Sequence, residues 1–194
     1  MIRSNKILCF AVLISILGIK NNFTAQSYTF VVCGATGHLG PTQTQANATY
    51  STTNLNNSVS VTSGVQTFTI PVTGPYRINA TGAQGYGTYA GRGAQIIGDF
   101  TLSAGTVLKI VVGQQGVLPG NANYNNQYGG GGGTYVTYTT NVPLVVAGGG
   151  GASWATTLTT LSDGTISPNG NPAVNGGNGN GTGGTGGGGG GAAS

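Results

Sequence analysis

Charged side chains are nearly absent from this chain. Of 194 residues, 6 are Lys or Arg and 2 are Asp or Glu. Half of those cations, Arg3, Lys6 and Lys20, belong to an N-terminal segment that reads as a leader. The rest of the chain carries Arg77, Arg92 and Lys109 against Asp99 and Asp163. Such a surface has no basic patch, which leaves nucleic acid and anionic membranes without an electrostatic footing as partners. Cysteine is equally scarce. Beyond the leader only Cys33 remains, so no internal disulfide can form; a lone cysteine of this kind reads as a small buried hydrophobe, with a bridge to another chain or to a further segment as the alternative. Helical patterning is missing too: no window of ten or more residues repeats its apolar positions every three to four, which argues against a helical domain.

The shortage of titratable groups decides against catalysis. A single His, His38, lies five residues from Cys33, a spacing at which a thiolate and its base can be sought. No third group orients the pair, and both stand beside glycines. Asp99 falls in the strand-like GDF and Asp163 in the turn SDG, where Asp is a usual turn former. Zinc has no ligand set and calcium would have backbone carbonyls alone, so the reading is no catalytic residue, no cofactor and no metal. VVCGATGHLG, at 31–40, has the look of a dinucleotide-binding loop. The residues after it, Thr42–Tyr50, lack an apolar helical face, and no acidic residue stands about 20 positions on to hold a ribose.

Residues 1–26 have the form of a secretory signal peptide: a basic start, the apolar run Ile7–Ile19, and the small residue Ala25 near the cut. The run is too short for a spanning helix, and the 168 residues beyond it are expected outside the cell, secreted or on its surface. There, glycine supplies 38 of the 168, several times its usual share of about 7%.

Short strand patterns alternate with these glycines. Tyr28–Val32, Val59–Val61, Val65–Ile70, Tyr76–Ala80, Ala94–Leu102 and Thr106–Val112 carry β-branched, aromatic or alternating residues, with turns at Ser63-Gly64 and Ser103-Ala104-Gly105. The clearest unit is GGGGGTYVTYTTNVPLVVAGGGGA, at 129–152. Thr134–Tyr138 and Pro143–Ala147 read as a hairpin, and the hairpin brings two glycine runs side by side at one end of a sheet. The spacing predicts an all-β sandwich of jelly-roll type over 27–153. The residues 154–194 form a further glycine-rich segment, expected as a bundle continuation or flexible tail and as truncated at Ser194. Packed side by side, glycine runs can form extended threefold helices. The glycines assigned this structural role are Gly129, Gly130, Gly131, Gly132, Gly133, Gly148, Gly149, Gly150 and Gly151. Tyr86, Tyr89, Tyr124, Tyr128 and Trp154 lie in or near the glycine loops and are the candidate contact residues.

GATGHLGPTQTQANATY, SVSVTSGVQTFTIPVTGPYRINATGAQG, GRGAQIIGDFTLSAGTVLKIVVGQQG and the hairpin follow one pattern in one order. In this, the chain resembles the extracellular glycine-rich domain of the anaplastic lymphoma kinase and leukocyte tyrosine kinase receptors, and secreted proteins of Bacteroidetes-type bacteria that share the block. The likeness runs from about Phe30 to Ser153, with GPTQ, VGQQG and PLVVAGGGG as its most specific phrases. It implies a sandwich similar to tumour necrosis factor, with glycine insertions bundled as polyglycine II helices. The receptors' acidic ligand-binding surface has no counterpart in a chain with two carboxylates, and no kinase motif is present. The expected function is a non-catalytic structural or adhesive module for a protein, glycan or surface ligand. The alternative is the ligand-binding part of a receptor-tyrosine-kinase-like ectodomain.

Overall fold

The computed structural model describes residues 12–16, 26–117, 129–152 and 163–167. The sequence-predicted strands form: β2 (Ser27–Phe30), β3 (Val59–Thr62), β4 (Val65–Thr69), β5 (Gly74–Thr81), β6 (Gln95–Leu102), β7 (Val107–Val111), β8 (Thr134–Tyr138) and β9 (Pro143–Ala147). Every described pairing is antiparallel. A first strand, β1 (Val12–Ile16), precedes them. The strands make two sheets, one ordered β3-β4-β7-β8-β9 and the other β2-β1-β5-β6.

That second sheet holds an unexpected member. β1 comes from the apolar run that reads as a leader, and it lies between β2 and β5. The pattern V-L-I-S-I serves a strand as well as it serves a leader core, because β-branched residues suit the pleated backbone.

One core lies between the sheets. Period-two alternation sends Tyr28 and Phe30, Tyr76, Ile78 and Ala80, Leu108 and Ile110, and Val136 inward, all buried. Aromatic contacts cross the core, with Phe68 standing 4.7 Å from Tyr28 and 5.4 Å from Phe30 by ring centroids. The tilted and edge-on geometries are those that aromatic quadrupoles favour.

The all-β expectation holds with one short helix added. Thr42–Tyr50 lacks an apolar helical face, yet α1 spans Gln43–Tyr50. Its stability is local. Thr42 caps the helix by accepting from the Gln45 amide, and the Gln45 side chain accepts in return from the Thr42 amide at 2.8 Å. Ala46 and Tyr50, four residues apart, are the buried face, too narrow a stripe to register as amphipathic. The helix does follow a glycine loop. A dinucleotide site, however, is built on a parallel βαβ crossover, and β2, the strand before this loop, pairs antiparallel with β1.

The turns use the residues the sequence offered. Ser63 and Gly64 both have positive φ, 49° and 79°, as a two-residue hairpin turn of the favoured twist requires. Asn141, at φ 65°, plays the equivalent part between β8 and β9, where the Asn141 amide donates to Tyr138 O at 3.0 Å.

Candidate functional site

β5, β7 and β9 end, and β6 and β8 begin, at one end of the two sheets. Glycine-rich segments 82–86, 91–94, 113–117, 129–133 and 148–152 therefore leave or enter the sandwich together. They bond to one another in a fixed rhythm. Gly82 and Gly85 donate to Ala94 and Gly91; Ala83 and Tyr86 donate to Gly132 and Gly129. Gln84 O accepts from Gly116, and Ala83 O accepts from Gly150. Successive residues of 82–86 thus face different neighbours, and the same neighbour returns every third residue. The pairs Gly91–Gly151 and Ala94–Gly148, and Gly129–Val117 and Gly132–Gln114, repeat the spacing. A β-ladder would repeat every second residue and give each segment at most two neighbours. Segment 82–86 has four.

Approach this close needs residues without a side chain. A Cβ at Gly131 would overlap the carbonyl of Ala83; one at Gly149 would overlap that of Gly131; one at Gly150 would overlap that of Gly91. Gly82, Gly85, Gly93, Gly113 and Gly116 meet backbone in the same way. The nine glycines singled out by sequence do not share this burden equally. Among the described residues, a Cβ at Gly148 would have no neighbour within 4 Å, one at Gly130 would touch only Gly150 O at 3.4 Å, and one at Gly133 would meet the flexible end of Tyr135. Gly129 and Gly132 are intermediate, with nearest atoms at 3.2 and 3.1 Å.

The bundle is fastened to the sandwich by Thr134, which is fully buried. Its hydroxyl donates to Thr81 O at 2.7 Å and accepts from the Gly113 amide at 2.9 Å. One side chain thereby links the end of β5, the start of β8 and the segment leaving β7.

Beside the bundle runs a groove of about 430 Å³. Loop 37–40 and turn Ser63-Gly64 form one wall, and segments 111–117 and 129–133 the other. Half of its lining residues are glycine, and Gly40 and Gly64 make close backbone contact along it: a Cβ on Gly40 would stand 2.8 Å from Gly64 Cα. Two apolar side chains of the lining are exposed, Leu39 at 73% and Val117 at 50%. Gln114 also lines the groove, and its side-chain oxygen is buried without a hydrogen-bond partner among the described residues. Sequence reasoning missed Leu39, Val117 and Gln114. The available signal was an isolated apolar residue in the glycine loop GHLG.

Of the tyrosines proposed for contact, Tyr86 is half-buried, its amide bonded to Gly129 O, and Tyr89 is 37% exposed. Tyr124, Tyr128 and Trp154 lie outside the described residues.

The titratable groups do not assemble. Cys33 is buried, its thiol donating to Val31 O at 3.4 Å, while His38 is exposed on the groove loop. Asp99 accepts two 2.8 Å hydrogen bonds from Arg77, whose guanidinium holds the carboxyl below its ordinary range. Asp163 accepts from the Arg92 amide at 2.7 Å, a role that suits its place in a turn. No cluster of three or more His, Cys, Asp or Glu occurs among the described residues. Among them, too, no helix is long and apolar enough to cross a membrane.

A buried polar network does exist, in the core below α1. The Tyr50 hydroxyl donates to Gln66 Oε1 at 2.7 Å and accepts from the Val31 amide at 3.0 Å, while Gln66 Nε2 donates to Val31 O at 2.9 Å. Burial first, and the adjacent Cys33 next, push the Tyr50 phenol far above its ordinary value. Its contribution is structural: the network satisfies the backbone of Val31 where β2 ends.

No protein-family model matches the chain. It is similar to the mouse (Mus musculus) leukocyte tyrosine kinase receptor, at 37% identity over 106 residues. The match takes in 48% of this chain and spans 11% of the receptor's length. It falls in the receptor's extracellular region and not in its kinase domain, so what this all-β chain resembles is part of a receptor's outer portion.

Proposed function

We propose that this chain is a secreted or cell-surface binding module with no chemistry of its own. A sandwich of jelly-roll type clamps a bundle of polyglycine II-type helices, and the bundle and its groove are the working face. The observation that carries this reading is the threefold recurrence of hydrogen bonds around segment 82–86. A flexible linker would show no such order. Low charge, a glycine-walled groove and the exposed Leu39 and Val117 suit an uncharged ligand such as a glycan or a protein surface.

The test is adhesion of the purified full chain to immobilised glycans and matrix proteins, compared with the double variant Leu39→Asp/Val117→Asp. Saturable binding by the parent and loss of it in the variant, with an unchanged circular dichroism spectrum, is the expected outcome. A parent that binds none of these surfaces ends the adhesive reading.

The second reading is a ligand-binding part of a receptor-like ectodomain, supported by the 37% identity to the mouse receptor's extracellular region. A gene that continues in frame into a membrane helix and a kinase would favour it; adhesin repeats or a bacterial sorting domain would favour the first.

A further inference from the structure

The place occupied by β1 is a second site, independent of the glycine face. Val12, Leu13, Ile14 and Ser15 pair with Phe30, Thr29, Tyr28 and Ser27 of β2. On the other side, Leu13 to Ile16 pair with Asn79, Ile78, Arg77 and Tyr76 of β5. β2 and β5 are not neighbours, so among the described strands β1 alone joins β2 to its sheet. By register, Val12, Ile14 and Ile16 stand opposite Phe30, Tyr28, Ile78 and Tyr76, all of which are buried. The position calls for a strand apolar at alternate residues.

Two observations mark β1 as a temporary occupant. It lies inside the segment whose basic start, apolar run and small residue read as a secretory leader. Hydrolysis of the Gln26–Ser27 bond would consume one water and leave β2 beginning with a free amine, with its partner strand no longer covalently joined to the chain and open to exchange. Every other described strand already holds its own place in one of the two sheets. The fit is also incomplete at one residue. Asn79 is the register partner of position 13, and its side-chain oxygen is buried with no hydrogen-bond partner among the described residues. An unsatisfied buried acceptor carries a cost, which a residue with a side-chain donor at this register position would relieve.

We propose that the position between β2 and β5 is a strand-acceptor site, which the leader fills until it is cut away and which then takes an extended segment from another polypeptide. The partner's chemistry is set by the register. It has apolar residues at the positions of Val12, Ile14 and Ile16, and a side-chain donor such as Asn or Thr in place of Leu13. The main chain of the incoming strand supplies the affinity by pairing on both sides, and the alternating side chains set the register.

The experiment uses the full chain carrying a specific protease site in place of residues 21–25. After cutting, the N-terminal peptide is expected to stay bound through gel filtration. Displacing it should lower the melting temperature by about 10 °C. Synthetic peptides with the sequence of residues 10–18, flanked by lysines for solubility, are then added. The parent peptide should restore the melting temperature and the Leu13→Asn peptide should bind about tenfold more tightly. An Ile14→Pro peptide, which cannot donate to the ladder, should not bind. Three results would overturn the proposal: a cut chain that loses its peptide with no change in melting; equal binding of the Ile14→Pro peptide; or dimerisation of the cut chain in place of peptide uptake, which would give the site to a second copy.

Discussion

The sandwich and the glycine bundle are stabilised by opposite means. In the sandwich, side chains do the packing: Phe30, Tyr76, Ile78 and Leu108 are fully or almost fully out of water, and every methylene contributes contact area. In the bundle the side chain is what has to be missing, because neighbouring backbones lie where a Cβ would be. One region loses stability when atoms are removed and the other when atoms are added. Glycine is the residue that loses the most conformational freedom on folding, so a bundle built from it is costly to order. Anchoring each segment to a strand end, with Thr134 as a cross-link, divides that cost among short pieces already held at one or both ends.

The sharpest way to break the comparison is to add a side chain inside the bundle. Gly149→Val or Gly131→Val is expected to cost more than about 3 kcal/mol, since backbone on the neighbouring segment must move. Chemical denaturation would read it. If both variants unfold like the parent, the segments are linkers and the bundle carries no stability.

Next in size is the core's polar network. Tyr50→Phe leaves Gln66 Oε1 without its donor and the Val31 amide without its acceptor, a loss of about 2 kcal/mol. The same variant carries a pH signature. The folded phenol is raised above the ordinary 10.0, chiefly by burial. Below pH 10 it is protonated in both states and its full contribution is present. Above that, the unfolded chain ionises first, so stability falls as pH rises until the folded phenol ionises as well. Tyr28 and Tyr76 are raised in the same direction by burial. Tyr50→Phe should therefore flatten, without abolishing, the decline in the urea midpoint between about pH 9 and pH 12.

Removing one methyl group from the sandwich should matter less. Ile78→Val is expected to cost about 1 kcal/mol, the usual figure for that change in a packed core. The smallest effect belongs to a glycine outside the close contacts. Gly148→Ala, with no atom of the described residues within 4 Å of the new methyl, should change stability by less than about 0.5 kcal/mol. A large loss there would mean that glycine is needed throughout the runs for its backbone freedom. Near-neutrality, beside a damaging Gly149→Val, would localise the requirement to a one-residue resolution.

Much of the sandwich is legible in the sequence because strands announce themselves by local alternation. Val65–Thr69, Tyr76–Ala80 and the hairpin from Thr134 to Ala147 fall where their patterns put them. The helix Gln43–Tyr50 is hard to read because its signal is the reciprocal cap between Thr42 and Gln45, and not a stripe of apolar residues. The groove is not legible at all. Leu39, Gly64, Val117 and Gly129 are far apart in the chain, and only the folded loops set them around one space.

By itself the sequence determined that the chain is β-rich, poor in charge, thin in catalytic groups and dominated by glycine runs placed at strand ends. Those are properties of composition and of periods two residues long, which any short window displays. Tertiary structure decided which glycines must be glycine, because that depends on the backbone of a distant segment lying against the missing Cβ. It also decided that Val12–Ile16, a mostly apolar stretch, pairs as a strand between β2 and β5, since a hydrophobic run leaves open which partner it will lie against.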